Sequence, residues 1–176
     1  FYALGSAMNL AYAELLERPF DLGHYYLYIP QNAPEKPLPP IVFLHGSGGN
    51  FKSYIYILSQ LAEAEQFVII APSYGFGNWD EAGANTALQA IEDAKTLITL
   101  DEERIFLAGL SNGGLGVSQL ALTAPQTFHG LIFLSPVMND ALIDSPEFRT
   151  SWASRPILLI SGEEDKRIPI RYVQKR

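Results

Sequence analysis

The sequence predicts an α/β fold, a doubly wound and mostly parallel sheet with helices on both faces, and three observations carry that expectation. Five short runs are purely apolar, at residues 41–44 (IVFL), 68–71 (VIIA), 105–108 (IFLA), 131–134 (LIFL) and 157–160 (ILLI). Each has the length and composition of a strand buried on both faces. Helix-like segments separate the first four runs, at 53–65, 84–99 and 114–124. Strands that alternate with helices are joined by right-handed crossovers and so lie parallel. Finally, turn-rich segments follow several runs directly, at the strand ends where parallel sheets place their working crevice.

The remaining segments fit around that alternation. Residues 1–13 carry no charge, residues 14–18 continue in helical style and Pro19 stops them, which predicts an N-terminal helix over about 1–18. Thirteen uncharged residues are too few to span a bilayer. Residues 24–29 (HYYLYI) predict an outer strand, with Tyr26 and Tyr28 on one face and Tyr25, Leu27 and Ile29 on the other. Five prolines at 30, 34, 37, 39 and 40 then exclude a central strand and predict a surface connection. Segment 84–99 places Leu88, Ile91, Lys95 and Ile98 at helical spacing, with the lysine stem free to lie along an apolar face.

Composition narrows the function classes. The 176 residues suit a single domain with a full core. A formal net charge of −7 without any basic cluster argues against nucleic acid and anionic membranes as partners. Cysteine is absent, which excludes disulfides, thiol nucleophiles and Cys-based zinc sites but leaves the compartment open. There is no phosphate loop, metal-ligand cluster or dinucleotide fingerprint, so no cofactor is implied.

The most informative stretch is 104–116, RIFLAGLSNGGLG. It packs a buried strand, a sharp turn and a helix start into thirteen residues, with Gly109-Leu110-Ser111-Asn112-Gly113 spelling GxSxG. A strand that becomes a helix this abruptly strains its central residue, and neighbours without side chains give the turn room. Ser111 is thereby expected to stand clear of the sheet at a helix N-terminus, where N–H groups favour developing negative charge. Two further segments fall at the same expected edge: His45-Gly46-Ser47-Gly48-Gly49-Asn50 after the first run, and Ser161-Gly162-Glu163-Glu164-Asp165 after the fifth. The simpler role for Ser111 is to cap a helix, and the strand-to-helix setting argues against it.

These three motifs (HGSGG at 45–49, DEERIFLAGLSNGG at 101–114, SGEEDKRIP at 161–169) resemble the α/β-hydrolase superfamily over roughly residues 25–169. The likeness is to its small esterases, of the phospholipase/carboxylesterase, feruloyl esterase or polyhydroxybutyrate-depolymerase type. The resemblance implies Ser111 as nucleophile, the N–H groups of Asn112 and Ser47 as oxyanion hole with Gly48 as competing donor, and Asp165 as the acid that orients a catalytic histidine. Asp140 is a second candidate acid, following the preceding run. Tyr74, Phe76, Trp79, Met138 and Phe148 are candidates to line the acyl pocket or simply to pack. Residues 137–155, where such folds insert a cap, are few, which implies an accessible pocket and small or exposed acyl esters.

The resemblance also leaves a gap. The family's triad order is Ser, Asp or Glu, His, yet no histidine follows Asp165. The chain holds only His24, His45 and His129. His129 precedes its strand and belongs to the opposite edge; His24 lies on the outer strand; His45 supports the oxyanion loop in the family pattern. The expectation is therefore a single hydrolase domain cut at both ends, beginning at Phe1 rather than Met, with the last strand, helix and histidine loop beyond Arg176. A serine peptidase of the prolyl-oligopeptidase kind, which shares the elbow, and a non-catalytic hydrolase-like binding protein remain open alternatives.

Overall fold

The computed structural model describes residues 24–47, 52–73, 79 and 81–174; the predicted helix at 1–18 lies outside them. Six strands, β1 (His24–Tyr28), β2 (Pro40–Leu44), β3 (Val68–Ser73), β4 (Phe106–Leu110), β5 (Gly130–Leu134) and β6 (Ile157–Ile160), form one sheet in the order β1-β3-β2-β4-β5-β6. β1 runs antiparallel to β3, and every other pair is parallel. Between them run α1 (Lys52–Glu65), α2 (Glu81–Leu97) and α3 (Gly113–Thr123), the long crossover helices. α4 (Asp140–Ile143), α5 (Pro146–Trp152) and α6 (Ile170–Val173) are short.

Strand periodicity divides the apolar residues between two cores. Val42, Leu44, Val68, Ile70, Leu107, Leu131 and Phe133 point to one face, where Ile91 of α2 and Val117 and Leu120 of α3 meet them. Phe43, Ile69, Ala71 and Ala108 point to the other, against Ala62, Ile55 and Leu58 of α1. The split extends into β1 as its alternation predicts: Tyr25 and Leu27 pack with the first cluster, Tyr26 and Tyr28 with the second. Burial on both faces explains why the central runs carry no polar residue.

The fifth run departs from that rule. Ile157, Leu158, Leu159 and Ile160 were expected to be buried, yet they are 44%, 51%, 40% and 51% exposed. The cause is position rather than composition: β6 lies at the sheet edge, with β5 as its only strand partner among the described residues. Lys95 also does more than lie along an apolar face, since its ammonium meets Glu92 at 2.8 Å and Glu102 at 2.9 Å. Those carboxylates hold its pKa above the ordinary lysine value.

The short segment between β5 and β6 folds compactly onto α3. Asn139 caps α4 and Ser145 caps α5, each side-chain oxygen accepting a backbone N–H of the first turn. The Trp152 indole N–H donates to the Ala121 carbonyl at 2.9 Å, and the Asn139 N–H donates to Ser118 Oγ at 3.3 Å. No described helix is long and apolar enough to cross a membrane.

Candidate active site

β4 ends at Leu110, and α3 begins at Gly113, so two residues make the whole turn. Ser111 takes the strain, with φ of 52°. A non-glycine residue held in this region costs about 1–3 kcal/mol, and the surroundings must over-determine it. They do: the Ser111 N–H donates to the Leu134 carbonyl at 2.9 Å, and its carbonyl accepts from Gly114 at 3.0 Å and Val137 at 2.8 Å.

The two glycines of GxSxG have distinct steric duties. A Cβ on Gly109 would stand 2.5 Å from the Gly113 carbonyl oxygen, and a Cβ on Gly113 would stand 2.2 Å from that of Leu44. Neither obstacle is a flexible side chain. Gly113→Ala is therefore expected to destabilise the fold by about 3 kcal/mol or more, at the upper end of overpacking costs. Chemical denaturation checks this, with a large loss expected at Gly113 and a smaller one for Ala at Gly162, where the nearest atoms are 4.0 Å away.

β2 and β4 are neighbours, so the segment after β2 reaches the same edge. Gly46 lies against Ser111: an added Cβ would sit 3.3 Å from Ser111 Cβ and 3.9 Å from its Oγ. This close approach puts the backbone leading to Ser47 beside Ser111, while Gly48 lies outside the described residues. Asn112 is buried at the first turn of α3, and its side-chain carbonyl accepts the Trp79 N–H at 3.3 Å.

The histidines are accounted for by the same geometry. His45 is 1% exposed, tilts against the Trp79 ring at 5.0 Å, and directs Nδ1 to the Gly46 carbonyl at 2.8 Å. A carbonyl can only accept, so Nδ1 carries the proton and the ring braces the loop. His129 is exposed at the opposite end of β5, edge-on to Phe106. Five residues separate it from Leu134, about 16 Å at strand rise. His24 opens β1, three strand places from β4 and hence about 14 Å away.

Asp165 follows β6 at the carboxyl edge. Its Oδ1 accepts backbone N–H groups from Arg167 at 2.8 Å and Ile168 at 2.9 Å. These bonds, chiefly that of Ile168, hold its carboxyl below the usual aspartate range, with a contribution from the Ser135 hydroxyl. It thus stays ionised to lower pH than an ordinary aspartate, the state needed to accept an imidazole N–H. β4 and β6 lie two strand spacings apart, about 10 Å, close to the span of one imidazole with a hydrogen bond at each nitrogen. Asp140 instead opens α4, where its carbonyl accepts the Asp144 N–H at 3.0 Å.

Of the residues expected to line the pocket or simply to pack, three are described and buried. Trp79 is 4% exposed and gives its indole N–H to the His45 carbonyl at 2.9 Å, so it supports the loop from behind. Met138 is 7% exposed, and Tyr172 OH bonds both its N–H and its carbonyl. Phe148 is buried beside Trp152. All three belong to the main core, because α3 to α5 close over them. Tyr74 and Phe76 lie outside the described residues.

A strained serine at the carboxyl edge of a mostly parallel sheet, where the chain crosses from strand to helix, defines the architecture of the α/β-hydrolases. The chain belongs to that class: residues 35–155 match the family described as serine aminopeptidase, S33. It is 32% identical over 98 residues to the dihydrolipoyllysine-residue acetyltransferase component of the acetoin cleaving system of Cupriavidus necator, covering 55% of this chain and 26% of that protein. It is 30% identical over 147 residues to the pyrethroid hydrolase Ces2a of Mus musculus, covering 72% of this chain and 26% of the relative. The chain thus spans about a quarter of the length of either relative. Among solved structures, the acetyl xylan esterase from Aspergillus awamori superposes with a TM-score of 0.65 at 20% identity, over 82% of this chain and 69% of that one. At that identity the likeness is one of fold.

Proposed function

We propose that the full-length protein is a serine esterase that hydrolyses small carboxylic esters through an acyl-enzyme on Ser111. The observation that carries this reading is the strained Ser111, with φ of 52°, facing the backbone of Gly46 across the crevice edge. Ser111 Oγ attacks the ester carbonyl while a histidine takes its proton, and the N–H groups of Asn112 and Ser47 hold the resulting oxyanion. The histidine then protonates the departing alkoxide, which leaves as the alcohol. Water attacks the acyl-enzyme by the same proton relay in reverse and frees the acid.

The base in this proposal is a histidine beyond Arg176, seated between Ser111 and Asp165. Two facts support that placement. His24, His45 and His129 are each engaged or distant as described, and the gap from β4 to β6 suits one imidazole. The similarity to Ces2a, a pyrethroid hydrolase, favours an ester as substrate. The family's description as an aminopeptidase favours a second reading, peptide-bond hydrolysis by the same serine.

One comparison separates the two. Full-length protein is assayed with p-nitrophenyl acetate and with an aminoacyl p-nitroanilide, and Ser111-dependent turnover of the ester alone is expected. Turnover of the anilide at comparable kcat/KM replaces the esterase reading with the peptidase one.

A further inference from the structure

Trp79 is bonded to both segments that carry the oxyanion donors of the proposed reaction. Its indole N–H donates to the His45 carbonyl at 2.9 Å, and its backbone N–H donates to Asn112 Oδ1 at 3.3 Å. The first partner lies just past β2, two residues before Ser47; the second directly follows Ser111. Packing alone would be served by any large ring. What tryptophan adds is a side-chain donor, and here that donor meets a carbonyl of the loop. The side chain also lies flush against α3, since a Cβ on Gly116 would stand 3.0 Å from Trp79 Cβ and 3.1 Å from its Cγ.

These contacts reach the two donors through the backbone. A peptide group is planar and trans, so its carbonyl and its N–H point in opposite directions and turn together. The Gly46 carbonyl and the Ser47 N–H form one such group. His45 Nδ1 holds its carbonyl end at 2.8 Å. Trp79 in turn holds His45, by the bond to its carbonyl and by the ring that packs on the imidazole with centroids 5.0 Å apart. The other donor, the Asn112 N–H, belongs to the residue that precedes α3, and Trp79 holds that residue by its side chain. One buried residue, 4% exposed, thus ties the loop after β2 to the turn after β4.

We propose that Trp79 is a positioning residue that fixes the spacing between the Ser47 and Asn112 N–H groups, and with it the shape of the oxyanion hole. This rests on the reading of Ser111 as nucleophile and of those two N–H groups as its oxyanion donors. The oxyanion forms only after attack. A loosened hole therefore costs the transition state and leaves substrate binding nearly intact, so the loss falls on kcat.

The test uses full-length protein, p-nitrophenyl acetate and Trp79→Phe, which keeps an aromatic ring and removes the indole N–H. Sites are counted by exhaustive fluorophosphonate labelling, so that kcat is read per reactive serine and any loss of folded protein is divided out. Per site, kcat is expected to fall about 10- to 100-fold, less than the roughly 10² to 10³ cost of losing a whole donor, with KM changed by less than about twofold. Inhibition by butylboronic acid, whose serine adduct is tetrahedral and sets an oxygen in the hole, should weaken by a similar factor. Ser111→Ala serves as reference. If it is inactive while Trp79→Phe keeps parental kcat per site and parental boronate affinity, the positioning role is overturned and the nucleophile stands, however many sites are lost. A fall in kcat with boronate affinity unchanged also overturns the proposal, because the loss then lies outside the hole. If Ser111→Ala itself keeps parental turnover, the reading beneath the proposal falls.

Discussion

Ser111→Ala in the full-length protein is expected to abolish labelling by a fluorophosphonate probe and to lower ester hydrolysis by about 10⁴ to 10⁶. The argument is steric as well as chemical. The chain holds Ser111 at φ of 52° by three backbone hydrogen bonds, so the residue is presented whether or not it reacts. Alanine keeps the strain and removes the hydroxyl; glycine removes both. Ser111→Gly should therefore be equally inactive yet more stable than Ser111→Ala by about 1 kcal/mol, because only glycine enters the left-handed region without steric cost. Labelling that persists in the alanine variant would place the nucleophile elsewhere.

The second large effect is expected at Asp165. Replacing the triad carboxylate by an amide drops kcat by about 10⁴ where the histidine depends on it for tautomer and orientation. Asp165→Asn is expected to do so here with little change in KM. Its carboxyl lies below the usual range because backbone N–H groups bind the charged form. The sign follows: the charged form is favoured on folding, so its contribution to stability is present above the unfolded aspartate pKa and is lost as pH falls through the lower folded value. Asp140→Asn, in the first turn of α4, is expected to cost less than about tenfold in kcat. The opposite ranking of the two variants would reassign the acid.

Much of the fold was legible because its strands are simple. Runs such as 68–71 are apolar at every position, and both sheet faces prove to be covered, with Val68, Ile69, Ile70 and Ala71 all at 0% exposure. Run 157–160 looks the same in sequence but lies at the edge. Composition reports what a strand tolerates, not how many neighbours it has. GxSxG was legible from its strand-to-helix setting, although the demand for glycine is local only at Gly109, which meets Gly113 and Val117, whereas Gly113 meets Leu44 and His45 of the neighbouring strand's end.

The pocket was not legible in the same way. An aromatic or methionine near the right edge can face the crevice or the core, and only the packing of α3 to α5 puts Trp79 and Met138 in the core.

By itself, the sequence determined the parallel alternation of strands and helices, the strained turn at Ser111 and the carboxylate that follows the fifth run, because each follows from chemistry within a few consecutive residues. Only the tertiary structure decided the strand order, which sets Gly46 directly beside Ser111 and leaves β6, with Asp165 after it, two strands away. That order is set by how two apolar faces share α1, α2 and α3, a balance of burial over distant segments that no local pattern encodes.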